Sequence, residues 1–142
     1  MVETLDKTSG ACLCGAVVYE IEGDLRPIIY CHCDQCRRSS GHYVAASACH
    51  PDKLSLLKET SLVWFRSSEK AQRGFCASCG SNLFWKSDAE DSISIMAGAL
   101  DRPIDLKAEK HIFTPEVWDY YRVNDGLPQF SANTQVSDHE SR

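Results

Sequence analysis

The stretch "YCHCDQC", Tyr30 to Cys36, places three thiols within six residues, Cys31, Cys33 and Cys36. A CxC pair, "CLC" (Cys12 and Cys14), lies upstream, and a CxxC pair, "CASC" (Cys76 and Cys79), lies downstream. Seven of the eight cysteines therefore fall into three clusters, and what binds those clusters decides how the chain folds. Disulfide frameworks belong to oxidising compartments and to smaller, loop-rich chains. The opening residues "MVETLDKTSG" carry neither the basic start nor the apolar run of a secretory signal. Paired thiols one or two residues apart also make poor staples, because closing so short a loop removes little unfolded-state entropy. A metal ion explains the spacing better. Thiolates must sit about 2.3 Å from a tetrahedral ion, and two cysteines on one tight turn can converge on it. Gly15 and Gly80 follow two of these turns, where a positive φ leaves backbone amides free to point at the sulfurs.

Seven clustered thiols divide as four plus three. Structural zinc sites are closed by four protein ligands, whereas catalytic ones keep three and leave a position for an outside molecule. On this reading Cys12, Cys14, Cys76 and Cys79 clamp one Zn2+, and Cys31, Cys33 and Cys36 hold a second with an open face. An all-thiolate set favours zinc over an iron–sulfur cluster in a chain with no other redox signature. Spacing leaves two alternatives standing. The CxC at Cys12 could share an ion with the central cluster, and the second ion could be closed by His32, Asp34, His42, Cys49 or His111.

Around the cysteines the chain reads as mainly β with short helical turns. Short stretches rich in β-branched and aromatic residues predict strands at 16–21, 42–47, 62–65, 82–85, 92–98 and 110–113. Turn signals are Gly23, Pro51, Gly74, Asp101 to Pro103 and Asn124 to Gly126. Helical periodicity is weak, with Cys33 to Ser39 and Pro115 to Tyr120 the two short candidates. One domain over 8–130 is expected, followed by a polar C-terminal tail over 131–142; 142 residues suffice to bury roughly 70% of the unfolded surface. A net charge of −5, with no basic run beyond Arg37 and Arg38, argues against nucleic acid as partner. No apolar run approaches the roughly 20 residues that span a bilayer. A cytoplasmic location is expected, and a homo-oligomer is compatible with the sequence.

The combination of "CLCGAVVYEI", "YCHCDQCRRSSG", "RGFCASCGSNLFW", "KHIF" and "VWDYYRVNDGLPQF" resembles the glutathione-dependent formaldehyde-activating enzymes and the related centromere protein V-like domain. The likeness runs from about Gly10 to Phe130. It implies a compact Mss4-like zinc-binding β fold, with a structural zinc on Cys12, Cys14, Cys76 and Cys79 and a catalytic zinc on Cys31, Cys33 and Cys36. The activity it implies is carbon–sulfur lyase chemistry: joining the thiol of glutathione to formaldehyde as S-hydroxymethylglutathione, or cleaving that adduct. The partners implied are a small thiol such as glutathione and an aldehyde.

Three cysteinates on a divalent ion leave the ligand shell negative, which blunts Lewis acidity and favours a soft fourth ligand. Sulfur chemistry suits such a site better than peptide or phosphate hydrolysis. His32, His42 and His111 are candidate acids or bases, each weighed against an ordinary packed histidine. Arg37 and Arg38 are candidates to hold a carboxylate, weighed against a solvated helical face. Cys49 reads as a small buried residue, and Trp64, Trp85, Trp118, Tyr120 and Tyr121 as core or rim aromatics. The competing function is a non-catalytic zinc module used for protein binding.

Overall fold

A computed structural model describes residues 7–133 and arranges them as two β-sheets with one short helix. The smaller sheet joins β1 (Lys7–Ala11), β2 (Val17–Glu22) and β5 (Leu54–Glu59), all antiparallel, with β2 in the centre. The larger sheet has seven strands. From one edge it runs β10 (Ala108–Ile112), β3 (Ile28–Cys31), β4 (Val44–Cys49) and β9 (Ile93–Met96), then β8 (Asn82–Ser87), β7 (Ala71–Cys76) and β6 (Leu62–Arg66). Among the described strands β10 and β3 alone pair in parallel. Helix α1 (Asp34–Ser40) follows β3 directly. This is a mainly β architecture with short helical turns, in keeping with the Mss4-like fold.

Strand periodicity sends neighbouring residues to opposite faces, and the large sheet uses both. Phe84 packs with Val17, Tyr19, Ile21 and Ile95 in one core, while its neighbour Trp85 packs with Ile29, Val44, Ala46 and Ile112 in the other. Tyr19 meets Phe84 edge-on at 5.1 Å in the first core. Each thiol group borders one core: Cys12 and Cys76 the first, and Cys31, Cys33 and Cys36 the second.

Each of the six expected strands is present with shifted bounds, but β1, β3, β5 and β7 were not foreseen. Gly74, expected in a turn, lies inside β7. An added Cβ there would come 3.1 Å from the Trp64 indole and 3.2 Å from Phe84, so the glycine makes room for those two rings to stack. The candidate helix after the thiol cluster is α1, with Cys33 as its cap. The candidate at Pro115 to Tyr120 is a single 3-10 turn, Thr114–Glu116. Phe113 enters that turn in the left-handed region (φ 58°), and Val117 leaves it extended. Of the polar tail expected over 131–142, residues 134–142 lie outside the described part of the chain. Among the described residues no helix is long and apolar enough to cross a membrane.

Candidate metal centres

The first centre joins two distant turns. Cys12 and Cys14 sit on the turn after β1, while Cys76 ends β7 and Cys79 lies on the turn into β8. The four sulfurs lie within 4.8 Å of one another. Cys12 Sγ is 3.7 Å from Cys14 Sγ, which is 3.8 Å from Cys76 Sγ. A tetrahedron with 2.3 Å metal–sulfur bonds has edges of about 3.8 Å, so these spacings already fit an ion. Gly15 and Gly80 take φ of 81° and 83° and return their N–H groups to the carbonyls of Cys12 and Cys76. Leu13 N donates to Ser81 Oγ at 2.9 Å, tying one turn to the other.

Polar hydrogens converge on these sulfurs. Val17 N donates to Cys12 Sγ at 3.2 Å, Ser61 Oγ lies 3.0 Å from Cys76 Sγ, and Ser81 Oγ lies 3.2 Å from Cys79 Sγ. The Ser81 hydroxyl and backbone hold the Cys79 thiol down to about 5, and Ser61 lowers Cys76. At Cys14 the Ala16 backbone favours the thiolate, but desolvation and the three crowding thiols push it up to about 11. The group is thus split between thiolates that form readily and one that resists. A cation held by these four sulfurs would remove that conflict, and its binding would expel the remaining protons.

The second centre is local. Cys31 ends β3, Cys33 caps α1 and Cys36 lies in its first turn, so six consecutive residues bring three sulfurs within 4.8 Å. Cys33 Sγ accepts from Cys36 N at 3.3 Å. Among the described residues no fourth Cys, His, Asp or Glu atom joins this group. The sulfurs are nonetheless enclosed, with Cys31, Cys33 and Cys36 only 2%, 7% and 3% exposed. The Cys33 thiol is raised: Cys31 favours its thiolate, but Cys36 and burial oppose it. Against Cys31 lies a cavity of about 90 Å3, walled by Ile29, Val44, Ala46, Trp85 and Ile112 and bordered by Arg26, Glu90, Ser92 and Ser94. Arg73, itself 6% exposed, brings Nη2 to 3.9 Å from Cys36 Sγ.

None of the candidate fourth ligands stands with this trio. His32 leaves β3 on the face opposite Cys31 and enters a hydrogen-bonded chain. Its Nδ1 is 2.7 Å from Tyr121 Oη, its Nε2 is 2.8 Å from His111 Nδ1, and His111 Nε2 is 2.9 Å from an Asp125 carboxylate oxygen. Asp125 can only accept, so with neutral rings the order is Tyr121 O–H to His32, His32 to His111, and His111 to Asp125. Burial, followed by repulsion from His111 and His42, lowers His32 to about 4. His42 is exposed and bonds Tyr120 Oη at 2.6 Å. Asp34 is paired with Arg37 at 3.5 Å. Cys49 belongs to the first core, where burial pushes its thiol up to about 11.

Arg37 also lies over the Trp118 ring at 5.1 Å, leaving Arg38 as the exposed basic residue of α1. Trp85 is core, while Trp64, Trp118 and Tyr120 are on the rim, and Tyr121 caps the histidine chain. Sequence reading passed over Arg73, Asp125, Ser61 and Ser81. Ser81 could have been found from its place beside Gly80 in the second thiol turn. Arg73 shows only as a lone cation inside an otherwise uncharged strand, three residues before Cys76.

The model of the family described as glutathione-dependent formaldehyde-activating enzyme matches residues 7–116. The chain belongs to this family. That glutathione-dependent formaldehyde-activating enzyme (GFA) match takes in all seven clustered cysteines and ends before the Tyr121 to Asp125 segment. No curated protein matches this GFA-family chain. A crystal structure of a Rhodobacter sphaeroides protein superposes on it with a TM-score of 0.55 at 21% identity, covering 86% of this chain and 98% of the other. At that identity the likeness speaks for the fold alone.

Proposed function

We propose that this chain is a zinc-dependent carbon–sulfur lyase that forms or cleaves the adduct of a small thiol, such as glutathione, with an aldehyde such as formaldehyde. In this reading the domain spans 8–130, works in the cytoplasm and takes no nucleic acid. The observation that carries it is the halt of the second thiol group at three sulfurs, beside a small cavity, in a member of this family. Cys12, Cys14, Cys76 and Cys79 would enclose a structural zinc, and Cys31, Cys33 and Cys36 would hold a catalytic one. Such an ion supplies positive charge that keeps a thiol ionised or polarises a carbonyl.

The rest is done by the chain. At about 90 Å3, the cavity is under a third of the roughly 300 Å3 at which drug-sized pockets begin. It suits an aldehyde and the sulfur end of a thiol, while the body of a tripeptide stays outside. Its lining is mixed, with Ile29, Val44, Ala46, Trp85 and Ile112 set against Arg26, Glu90, Ser92 and Ser94. In the forward direction a carbon–sulfur bond forms, the carbonyl π bond breaks, and the proton leaving sulfur ends on the alcohol oxygen. Glu90, Ser92 and Ser94 border the cavity, so proton transfer is assigned there and not to His32, His42 or His111.

Near-complete burial of the trio favours a second reading, a non-catalytic zinc module for protein binding. NMR exchange measurements on formaldehyde and glutathione separate the two. Zinc-loaded protein is expected to raise the interconversion rate, with Cys33→Ser as the inactive control. An unchanged rate removes the lyase reading for this substrate pair.

A further inference from the structure

A second concave surface lies between α1 and the β6–β7 hairpin, next to Arg73. Two adjoining hollows of about 260 and 230 Å3 share Ser39, Phe65 and Arg73. Arg38 borders one and Asn82 the other, and neither hollow has an acidic side chain on its lining. That is unexpected on a chain with a net charge of −5, where acids outnumber bases by 20 to 15.

Arg73 is the residue to explain. Burying an unpaired charge costs several kcal/mol, yet Arg73 is 6% exposed and makes no salt bridge among the described residues. Its side-chain acceptors among the described residues are weak ones, Gln35 Oε1 at 3.4 Å and Cys36 Sγ at 3.9 Å, and both are served by the same nitrogen, Nη2. A guanidinium has five N–H donors in a planar fork matched to carboxylate oxygens. Thiolates in the trio would compensate one side of it, and the fork still borders the groove. Asn82 borders the far end. Phe65, 61% exposed, offers a bare apolar wall alongside.

We propose that the groove between α1 and the β6–β7 hairpin binds a carboxylate-bearing small molecule, with Arg73 as the anchor and Arg38 as the outer charge. Resting on the lyase reading, the ligand is the carboxylate arm of the thiol substrate, and Arg73 sets the preference for anionic thiols. The position suits that role, because one guanidinium separates the groove from Cys36.

S-methylglutathione tests this without the chemistry, since its sulfur is blocked. Titrated calorimetrically into the zinc-loaded chain, it is expected to bind, and its dimethyl ester at least tenfold more weakly. Arg73→Met should cost tenfold or more; Arg38→Met and Phe65→Ala, which lie away from the sulfurs, should each cost a few-fold. Zinc per chain is measured on every variant, and if Arg73→Met loses metal or solubility the two outer variants decide. Equal binding of acid and ester, unchanged binding in the outer variants, no binding at all, or displacement by inorganic phosphate at the same concentration would each overturn the proposal. Binding with this pattern but no rate enhancement on formaldehyde and glutathione would leave the anion site standing and remove the lyase reading.

Discussion

Gly10→Ala tests the packing that holds the first thiol turn in place. Gly10 lies on β1 directly opposite Tyr19 on β2, two residues before Cys12. A Cβ added there would fall 2.4 Å from Tyr19 Cζ and Oη and 2.7 Å from Cε2. Nonbonded carbons settle at about 3.5–4.0 Å, so the ring has to retreat by roughly 1 Å. It has little room to do so, being fully buried and edge-on to Phe84, which in turn stacks on Trp64. Overpacking of this kind costs about 1–3 kcal/mol, and removing a strand glycine returns about 0.5–1 kcal/mol. The net expectation is a loss of about 1–2 kcal/mol, or a fall in Tm of roughly 2–8 °C.

Tyr19→Phe gives the internal control. Tyr19 Oη is buried with no hydrogen-bond partner among the described residues, and leaving such a group unsatisfied costs about 1–3 kcal/mol. Its removal should therefore be neutral or stabilising, and should lessen the cost of Gly10→Ala in the double variant by about 0.5 kcal/mol or more. Urea unfolding of the zinc-loaded proteins measures all three. The reasoning fails if Gly10→Ala unfolds within about 0.5 kcal/mol of the parent, the range of an ordinary surface change. It fails equally if Tyr19→Phe is markedly destabilising.

Metal analysis of the purified chain is expected to give two zinc ions; a single ion would contradict both thiol groups acting as sites. Cys76→Ser should yield insoluble or unfolded protein, because a structural zinc contributes an apparent 10–16 kcal/mol in small zinc domains, whereas Cys33→Ser should stay soluble and lose one zinc. Equal solubility and equal metal content in the two variants would contradict the division of roles. His32 should stay neutral well below pH 6, since burial sets it to about 4. Its folded value lies below the unfolded one near 6.5, so the unfolded chain binds more protons in between. Stability therefore falls as pH drops from about 6.5 towards 4, by up to about 2–3 kcal/mol from this group. Imidazole 15N shifts report it directly, and a midpoint near 6.5 would refute the buried-chain geometry.

Reading the sequence recovered what local chemistry spells out. Thiol spacing located both thiol groups that could hold a metal, and the β-branched runs located six strands. Two of the missed strands, β7 and β1, share a physical reason. β7, "AQRGFC", is buried through a glycine and an arginine, and β1, "KTSGA", packs through the absence of a side chain at Gly10. Their fit depends on rings 9 to 10 residues away, which no window of neighbours contains. β3 was hidden because Tyr30 and Cys31 already belonged to the thiol motif. Arg73, Asp125 and the path from Tyr121 to His111 were out of reach for the same cause: each gains its meaning from a partner 14 to 89 positions distant.

The two thiol groups also differ in how far apart the chain must be gathered to make them. Cys31, Cys33 and Cys36 come together within one strand end and one helical turn, whereas the other set waits for Cys79 to meet Cys12 across two sheets. As the polypeptide leaves the ribosome, the first set can therefore capture an ion before half of the chain exists, and the second closes only when most strands have docked. In a zinc-poor cell this order would make the three-thiol group the early claimant and the four-thiol group the late one. Scarcity would then show as protein that fails to fold, and not as folded protein lacking activity.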